Sequence, residues 1–332
     1  DLYPERRARL CERFGCDTAY DSLERMLREA RDVDAVAIFS GAPDHARHAR
    51  MCLERGWHVV TAVPACLTLD EAAMLKEVKE KTGLKYMMAE SSWYRQENIY
   101  ARNLFRAVVF GELFYTETEY YHDGGNPDKE TANIGSLVYN PDGSRSWRWG
   151  FPPMLYPTHC TGFLTGVTGE RVVKVSCLGW RSNQPALRAH PLRTENIYKN
   201  PFWNQTALML TNQDHASRCN IFWRCLAGGE RAQWFGDDAT FYMAVGGLHG
   251  NTIRIRGKGA EAAAAEAAVA LGKHVVAAPS AGRPAPSVGP RSRPPGWISS
   301  PSHTPQPRIP RCYAAGPCRK PPPPGSSSRH IG

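Results

Sequence analysis

The sequence holds several side chains that can move protons or bind polar ligands. His159 follows Tyr156, Pro157 and Thr158, and Pro-Thr reads as a helix start, so the ring projects from a first turn. A histidine titrating near its ordinary value of ~6.5 can take a proton from a hydroxyl at neutral pH, as oxidation of a carbinol requires. A capping or core histidine is the alternative for His159, and a structural role is the alternative for Tyr156. Glu90 ends an apolar run at Lys85–Glu90, with Tyr94 and Arg95 close behind. Tyr121, His122 and Asp123 end a run that alternates aromatic and polar residues, where they can line a pocket. Ser40, Gly41 and Pro43 form the turn after another apolar run.

These residues need elements to hold them. An amphipathic helix over Pro4–Phe14 and a second over Ser22–Ala30 come first. Strands at Asp34–Phe39, Trp57–Thr61 and Lys85–Glu90 then alternate with helices ending near Arg55, Lys81 and Phe110. The first strand is a continuous apolar run, the pattern of a strand buried on both faces. Repeated βα units with short loops predict a parallel, doubly wound sheet. After Gly111 the period becomes two. Strands are expected at 112–122, 172–179, 205–211, 217–226, 232–235 and 240–245, with a helix at 158–167, giving a mostly antiparallel sheet with one open face. The fold class is therefore α/β, with a partial Rossmann sheet followed by an α+β domain. The divisions fall at 1–110, 111–256 and 257–332.

Charge and composition narrow the partners. The chain of 332 residues has a net charge of +9, but residues 271–332 carry nine basic side chains and no Asp or Glu, leaving the first 270 neutral. No nucleic-acid footprint remains in the folded part. Fifteen of the 26 prolines lie from Pro279 onward. That stretch lacks apolar residues to offset ordering entropy and reads as a disordered basic tail or as mis-joined coding sequence. No apolar run approaches the ~20 residues of a membrane span. The ten cysteines form no CxxC pair and no metal-ligand spacing, so reduced thiols in a cytoplasmic protein with no bound metal are expected.

The run Ala35-Val-Ala-Ile-Phe-Ser-Gly-Ala-Pro43-Asp44-His45, with Cys52-Leu-Glu-Arg-Gly56-Trp-His-Val-Val60, Pro64 and Leu67-Thr68-Leu-Asp-Glu-Ala72, resembles the Gfo/Idh/MocA family of NAD(P)-dependent oxidoreductases of sugars and cyclitols. The likeness extends over roughly residues 1–245. It implies NAD or NADP as cofactor and a small carbohydrate as substrate. Asp1 would be the acid for the ribose hydroxyls, and a strand, a G-x-G-x-x-G turn and a helix would precede it in a complete member. Ser40, Gly41, Pro43, His45, Pro64 and Glu90 would lie along the cofactor, with Pro64 in a cis or tight turn. Tyr94, Arg95, His122, Asp123 and Thr158 would meet the substrate. His159 would be the acid/base with Tyr156 beside it, although Val63 stands where the family has Lys and Leu155 where it has Asp.

The resemblance gives an NAD(P)-dependent sugar or polyol dehydrogenase first. An NAD-dependent glycoside hydrolase and a non-catalytic sugar-binding relative are the alternatives. The open sheet face implies a homo-oligomer. A second Gly-rich turn, Gly257-Lys-Gly259-Ala-Glu-Ala262, matches a dinucleotide motif only weakly, since no acid follows Glu266 for the ribose.

Overall fold

A computed structural model describes residues 3–123, 138–244, 250–259 and 261–267, all within one compact unit, Asp1–Ala278. Asp1 and the Pro-rich tail lie outside the described residues.

The first half follows the sequence closely. Helix α1 (Pro4–Phe14) ends on Gly15 at φ 62, and α2 (Leu23–Glu29) starts on Ser22, whose hydroxyl accepts from the Arg25 amide. Strands β1 (Ala35–Ile38), β2 (His58–Thr61) and β3 (Tyr86–Met88) pair in parallel in that order. Between them run α3 (Ala42–Glu54) and α4 (Leu69–Thr82). A reciprocal Thr68/Glu71 capping box starts α4, satisfying two amides that would otherwise be orphaned. Val36, Ile38 and Val59 face α2, α3 and α4, where Ala46, Ala49, Cys52, Leu53, Leu75 and Val78 close a core.

β1 is not buried on both faces: Ala35 and Ala37 are exposed. The described helices cover the face carrying Val36 and Ile38, and β1 pairs on one edge only. The helix expected to end near Phe110 is α5 (Gln96–Arg106), which stops at Arg106 and is preceded by a 3-10 turn at Ser91–Tyr94. Glu90 accepts from the Ser92 amide and caps that turn.

The second sheet has seven strands: β4 (Leu113–Tyr121), β5 (Val172–Trp180), β6 (Asn204–Thr211), β7 (Ala216–Phe222), β8 (Gly229–Gly236), β9 (Ala239–Tyr242) and β10 (Thr252–Ile255). Their order is β10-β9-β8-β4-β7-β6-β5. All pairs are antiparallel except β4 with β7. Helix α6 (Thr158–Thr168), α5 and a helix over 261–267 cover one face. Trp234 is fully buried there, stacked on Phe241 with centroids 5.5 Å apart, and its indole N–H donates to the Phe163 carbonyl at 3.2 Å. The other face is open, as the alternation predicted. Leu178 on it is 81% exposed, beside Leu208 and Trp180. Two short Pro-initiated helices, Pro185–Ala189 and Pro191–Thr194, were not legible, being one turn or little more each.

The turn at Gly257 follows β10, an antiparallel edge strand paired with β9. It is therefore not the strand-to-helix turn of a parallel βαβ unit, and the weak dinucleotide reading there falls. Among the described residues no helix is long and apolar enough to cross a membrane.

Candidate active site

The site is assembled from the carboxyl edge of the parallel sheet, the start of α6 and the ends of β4, β7 and β8. Glu90 follows β3, and His159 is the second residue of α6. They meet because α6 packs closely on the Glu90–Asn98 segment. A Cβ on Gly162 would stand 2.9 Å from Glu90 Cγ, and one on Gly166 would stand 2.7 Å from Asn98 Nδ2, so only glycine admits this approach. Buried Asn98 ties the contact, donating to the carbonyls of Ser92 at 3.0 Å and Gly162 at 3.1 Å. Arg102 adds hydrogen bonds to the carbonyls of Gly166 and Trp93.

His159 is 8% exposed. Its Nδ1 lies 2.7 Å from Glu90 Oε1 and 3.3 Å from the Ser92 hydroxyl. Glu230, from β8, brings a second carboxylate within 3.9 Å of the same nitrogen and pairs with Arg95 at 2.7 Å. Burial pushes both carboxylates up, but the hydrogen bonds they accept outweigh it. The His159 contact and the Ser92 amide bring Glu90 below the ordinary range, and Arg95 and Ser92 do the same for Glu230. Both are anions at neutral pH. With Nδ1 donating to Glu90, Nε2 is the basic nitrogen, and no described residue hydrogen-bonds it.

Aromatic rings surround the imidazole. Tyr120 lies 4.5 Å from it and Tyr156 5.3 Å, centroid to centroid, and the two phenols stack at 6.0 Å. Trp223 closes the group, packing on Tyr120, Tyr156 and His122. Burial raises the pKa of both Tyr120 and Tyr156 and lowers that of His122. These phenols therefore keep their protons, and the Tyr120 hydroxyl, 2.6 Å from His122 Nε2, can donate to a neutral ring. A polar pair inside an aromatic box suits the hydroxyls and C–H faces of a sugar ring.

The other expected residues divide. Tyr94 and Thr158 line a cavity of about 340 Å³ with Met87, Met88, Glu90 and Trp93, and Tyr94 is largely exposed. Arg95 contributes through Glu230, and Asp123 stands exposed after β4. His45 is 1% exposed, and its ring nitrogens lie 2.7 Å from the Pro64 carbonyl and 2.9 Å from that of Ser40. It holds the loops after β1 and β2 together, which leaves neither nitrogen for a ligand. The Val63–Pro64 peptide is cis, as expected. Pro43 lies in the first turn of α3, and the Ser40 hydroxyl contacts His48. Gly41 faces the Trp147 indole, which fills the space of a Cβ at 2.8 Å.

Leu155, where the family's Asp would fall, sits in a separate 3-10 turn, Pro153–Leu155. The carboxylate beside His159 is that of Glu90. Ser92, Tyr120, Trp223 and Glu230 were missed. Tyr120 was visible only as one aromatic in the alternating β4, and nothing local marks Glu230, which lies 138 residues from Ser92.

The residues can be tested against the cofactor this fold implies. Glu90 Oε2 is buried and accepts no hydrogen bond. Glu90 lines the 340 Å³ cavity, near the lower end of small-molecule sites of ~300–1,000 Å³. One ring bearing a hydrogen-bond donor fits, as a nicotinamide carboxamide does, at the carboxyl edge where doubly wound folds collect ligands. A Gly-rich turn for the pyrophosphate is not among the described residues.

The parallel sheet and the second, open sheet together define a Rossmann-type α/β architecture. Residues 1–90 match the model of the Gfo/Idh/MocA family, described as an oxidoreductase family with an NAD-binding Rossmann fold. Over that region the chain is similar to the Gfo/Idh/MocA family. A glycosyl hydrolase family 109 protein of Bacteroides fragilis is 33% identical over 132 residues, 37% of this chain and 28% of that protein. The chain thus matches under a third of that relative's length. An inositol dehydrogenase homologue of Azotobacter vinelandii, solved with NADH and myo-inositol, superposes with TM-score 0.60 at 19% identity, covering 78% of this chain and 65% of that one. Scyllo-inositol dehydrogenase of Lactobacillus casei gives 0.59 at 16%, covering 83% and 80%. At these identities the solved structures establish the fold.

Proposed function

We propose that this chain oxidises a secondary hydroxyl of a sugar, polyol or cyclitol with NAD or NADP, and that His159 is the acid/base. The observation that carries the reading is a buried histidine whose Nδ1 is held by an ionised Glu90 and whose Nε2 no described residue hydrogen-bonds. The Ser40–Pro43 loop, the Pro64 loop and Glu90 would hold the nicotinamide end. The bound cofactor supplies the acceptor for the hydride that leaves the carbinol carbon.

The chain's own groups do the rest. Tyr120, Tyr156 and Trp223 orient the sugar ring and exclude water. His159 Nε2 takes the hydroxyl proton as the C–H bond breaks and the carbonyl forms, while Glu90 stabilises the imidazolium across Nδ1. Residues 1–110 would form the cofactor domain and 111–256 the substrate and oligomer domain, with two copies meeting through the open face at Leu178 and Leu208. Eight described cysteines are free, which suits a reducing compartment such as the cytoplasm.

A second reading has a specific observation behind it: the glycosyl hydrolase family 109 relatives. There the same oxidation would open an elimination and re-reduction, returning the cofactor unchanged and cleaving a glycoside.

The test is a fluorescence titration with NADH and NADPH followed by turnover. Binding of neither overturns both readings. Net reduction of added NAD or NADP by sugars or inositols supports the dehydrogenase, and cleavage of aryl glycosides without net reduction supports the hydrolase. His159→Asn is expected to abolish turnover and leave cofactor affinity intact.

A further inference from the structure

Ser92 stands where the two carboxylates cross. Its amide donates to Glu90 Oε1 at 2.8 Å, while its hydroxyl lies 2.5 Å from Glu230 Oε2 and 3.3 Å from His159 Nδ1. A hydroxyl has one proton to donate and lone pairs to accept with. Which neighbour receives that proton decides what Nδ1 sees. If Ser92 donates to Nδ1, that nitrogen must be bare and the proton sits on Nε2. If Ser92 donates elsewhere, Nδ1 faces only acceptors.

Glu230 settles the direction. Ionised and able only to accept, it takes the Ser92 proton across the shortest contact in the cluster, and its Oε2 also accepts from Arg95 Nε at 2.7 Å. Around Nδ1 there then stand Glu90 Oε1, the Ser92 oxygen and, at 3.9 Å, Glu230 Oε1. All three are acceptors, so Nδ1 carries the proton and Nε2 is left with its lone pair.

We propose that Glu230 is a positioning residue that locks His159 in the Nδ1–H tautomer by drawing the Ser92 hydroxyl proton away from the ring. The inference rests on the reading of His159 Nε2 as the base. Glu90 favours the same tautomer, and Glu230 turns away the Ser92 hydroxyl, the donor among the described residues that competes with it. Arg95 acts a step further out, fixing the Glu230 carboxylate on Ser92.

Nitrogen NMR of 15N-histidine-labelled protein at neutral pH tests this without substrate, with His159→Asn assigning the signals. The intact protein is expected to show His159 protonated on Nδ1 and bare on Nε2. Glu230→Gln is expected to move both signals toward the Nε2–H tautomer, because a side-chain amide can donate to Ser92 and turn its hydroxyl to the ring. With Ser92→Ala already in place, Glu230→Gln is expected to leave the signals where they were. Arg95→Gln should give a smaller shift in the same direction, and it stands in if Glu230→Gln fails to fold. An unchanged tautomer in the folded variants, or an equal shift with and without the Ser92 hydroxyl, overturns the proposal. A locked tautomer in a protein that turns over neither sugars nor glycosides sinks the proposed activity and leaves this inference standing.

Discussion

Glu90 and His159, 69 residues apart, meet at 2.7 Å between Oε1 and Nδ1 in a buried contact. A charge-assisted bond of this kind contributes ~1.5–3 kcal/mol, and it strengthens as the imidazole becomes a cation. In Glu90→Gln the negative charge is lost while the size is kept. The expected result is a fall in kcat of about tenfold or more, about 1.4 kcal/mol or more, with KM for the sugar changing much less. Steady-state kinetics on whichever substrate turns over measures it, and an unchanged kcat removes Glu90 from the proton path.

The two lowered carboxylates fix a pH dependence. Glu90 and Glu230 titrate lower folded than unfolded. Their stabilisation is therefore fully present above the unfolded value of ~4.3 and is lost as pH falls from there through the folded values. Glu170 behaves likewise: burial opposes its ionisation, but the His215 imidazole 3.5 Å away and the hydrogen bond from the Thr211 hydroxyl hold it low. Melting temperature should thus fall along an acid limb below pH ~4.3. Glu90→Gln should flatten that limb, as followed by calorimetry from pH 7 to pH 3, and a limb identical in both proteins would refute the assignment.

Much of this was readable in the sequence because the signals are local. Thr68 and Glu71 are three residues apart and cap α4 as capping boxes do, and Pro4 and Gly15 bracket α1. His159 stood out because Pro157 and Thr158 announce a helix start. The second carboxylate was not readable, because Glu230 reaches Ser92 and Arg95 only through the pairing of β8 with β4. The failed expectation for β1 has a related cause: an apolar run reports that a strand prefers burial, not which faces find a partner. Gly162 and Gly166 likewise look like weak points of α6 until Glu90 and Asn98 are placed against them.

The open face of the second sheet gives an assembly test. Leu178 and Leu208 present apolar side chains to solvent beside Trp180 and a groove of about 530 Å³ lined by Asn204, Thr206 and Phe222. If two copies meet there, Leu178→Asp places an unpaired carboxylate in the interface, at a cost of several kcal/mol. Light scattering should show a dimer or larger assembly for the intact protein and a monomer for the variant, with the melting curve of the monomer otherwise two-state. The same mass for both proteins would rule this face out as the interface.

Gly162 offers the sharpest separation of packing from chemistry. A methyl group there meets Glu90 Cγ at 2.9 Å and Ser92 Cβ at 3.5 Å, inside a close-packed contact. Glu90 cannot swing away freely, since it is held by His159 and by the Ser92 amide. Overpacking of this kind costs ~1–3 kcal/mol, against a gain of up to ~1 kcal/mol from replacing a helical glycine by alanine. The net expectation for Gly162→Ala is a destabilisation of about 1 kcal/mol together with a displaced Glu90 carboxylate. Chemical denaturation reads the first, and loss of turnover comparable to that of Glu90→Gln reads the second. Gly169→Ala serves as the control: it sits past the end of the same helix at φ 72 with open space around it. Strain from its left-handed backbone should lower stability while leaving turnover unchanged. If Gly162→Ala also lost only stability, the close approach of α6 to Glu90 would not be what sets the His159 contact.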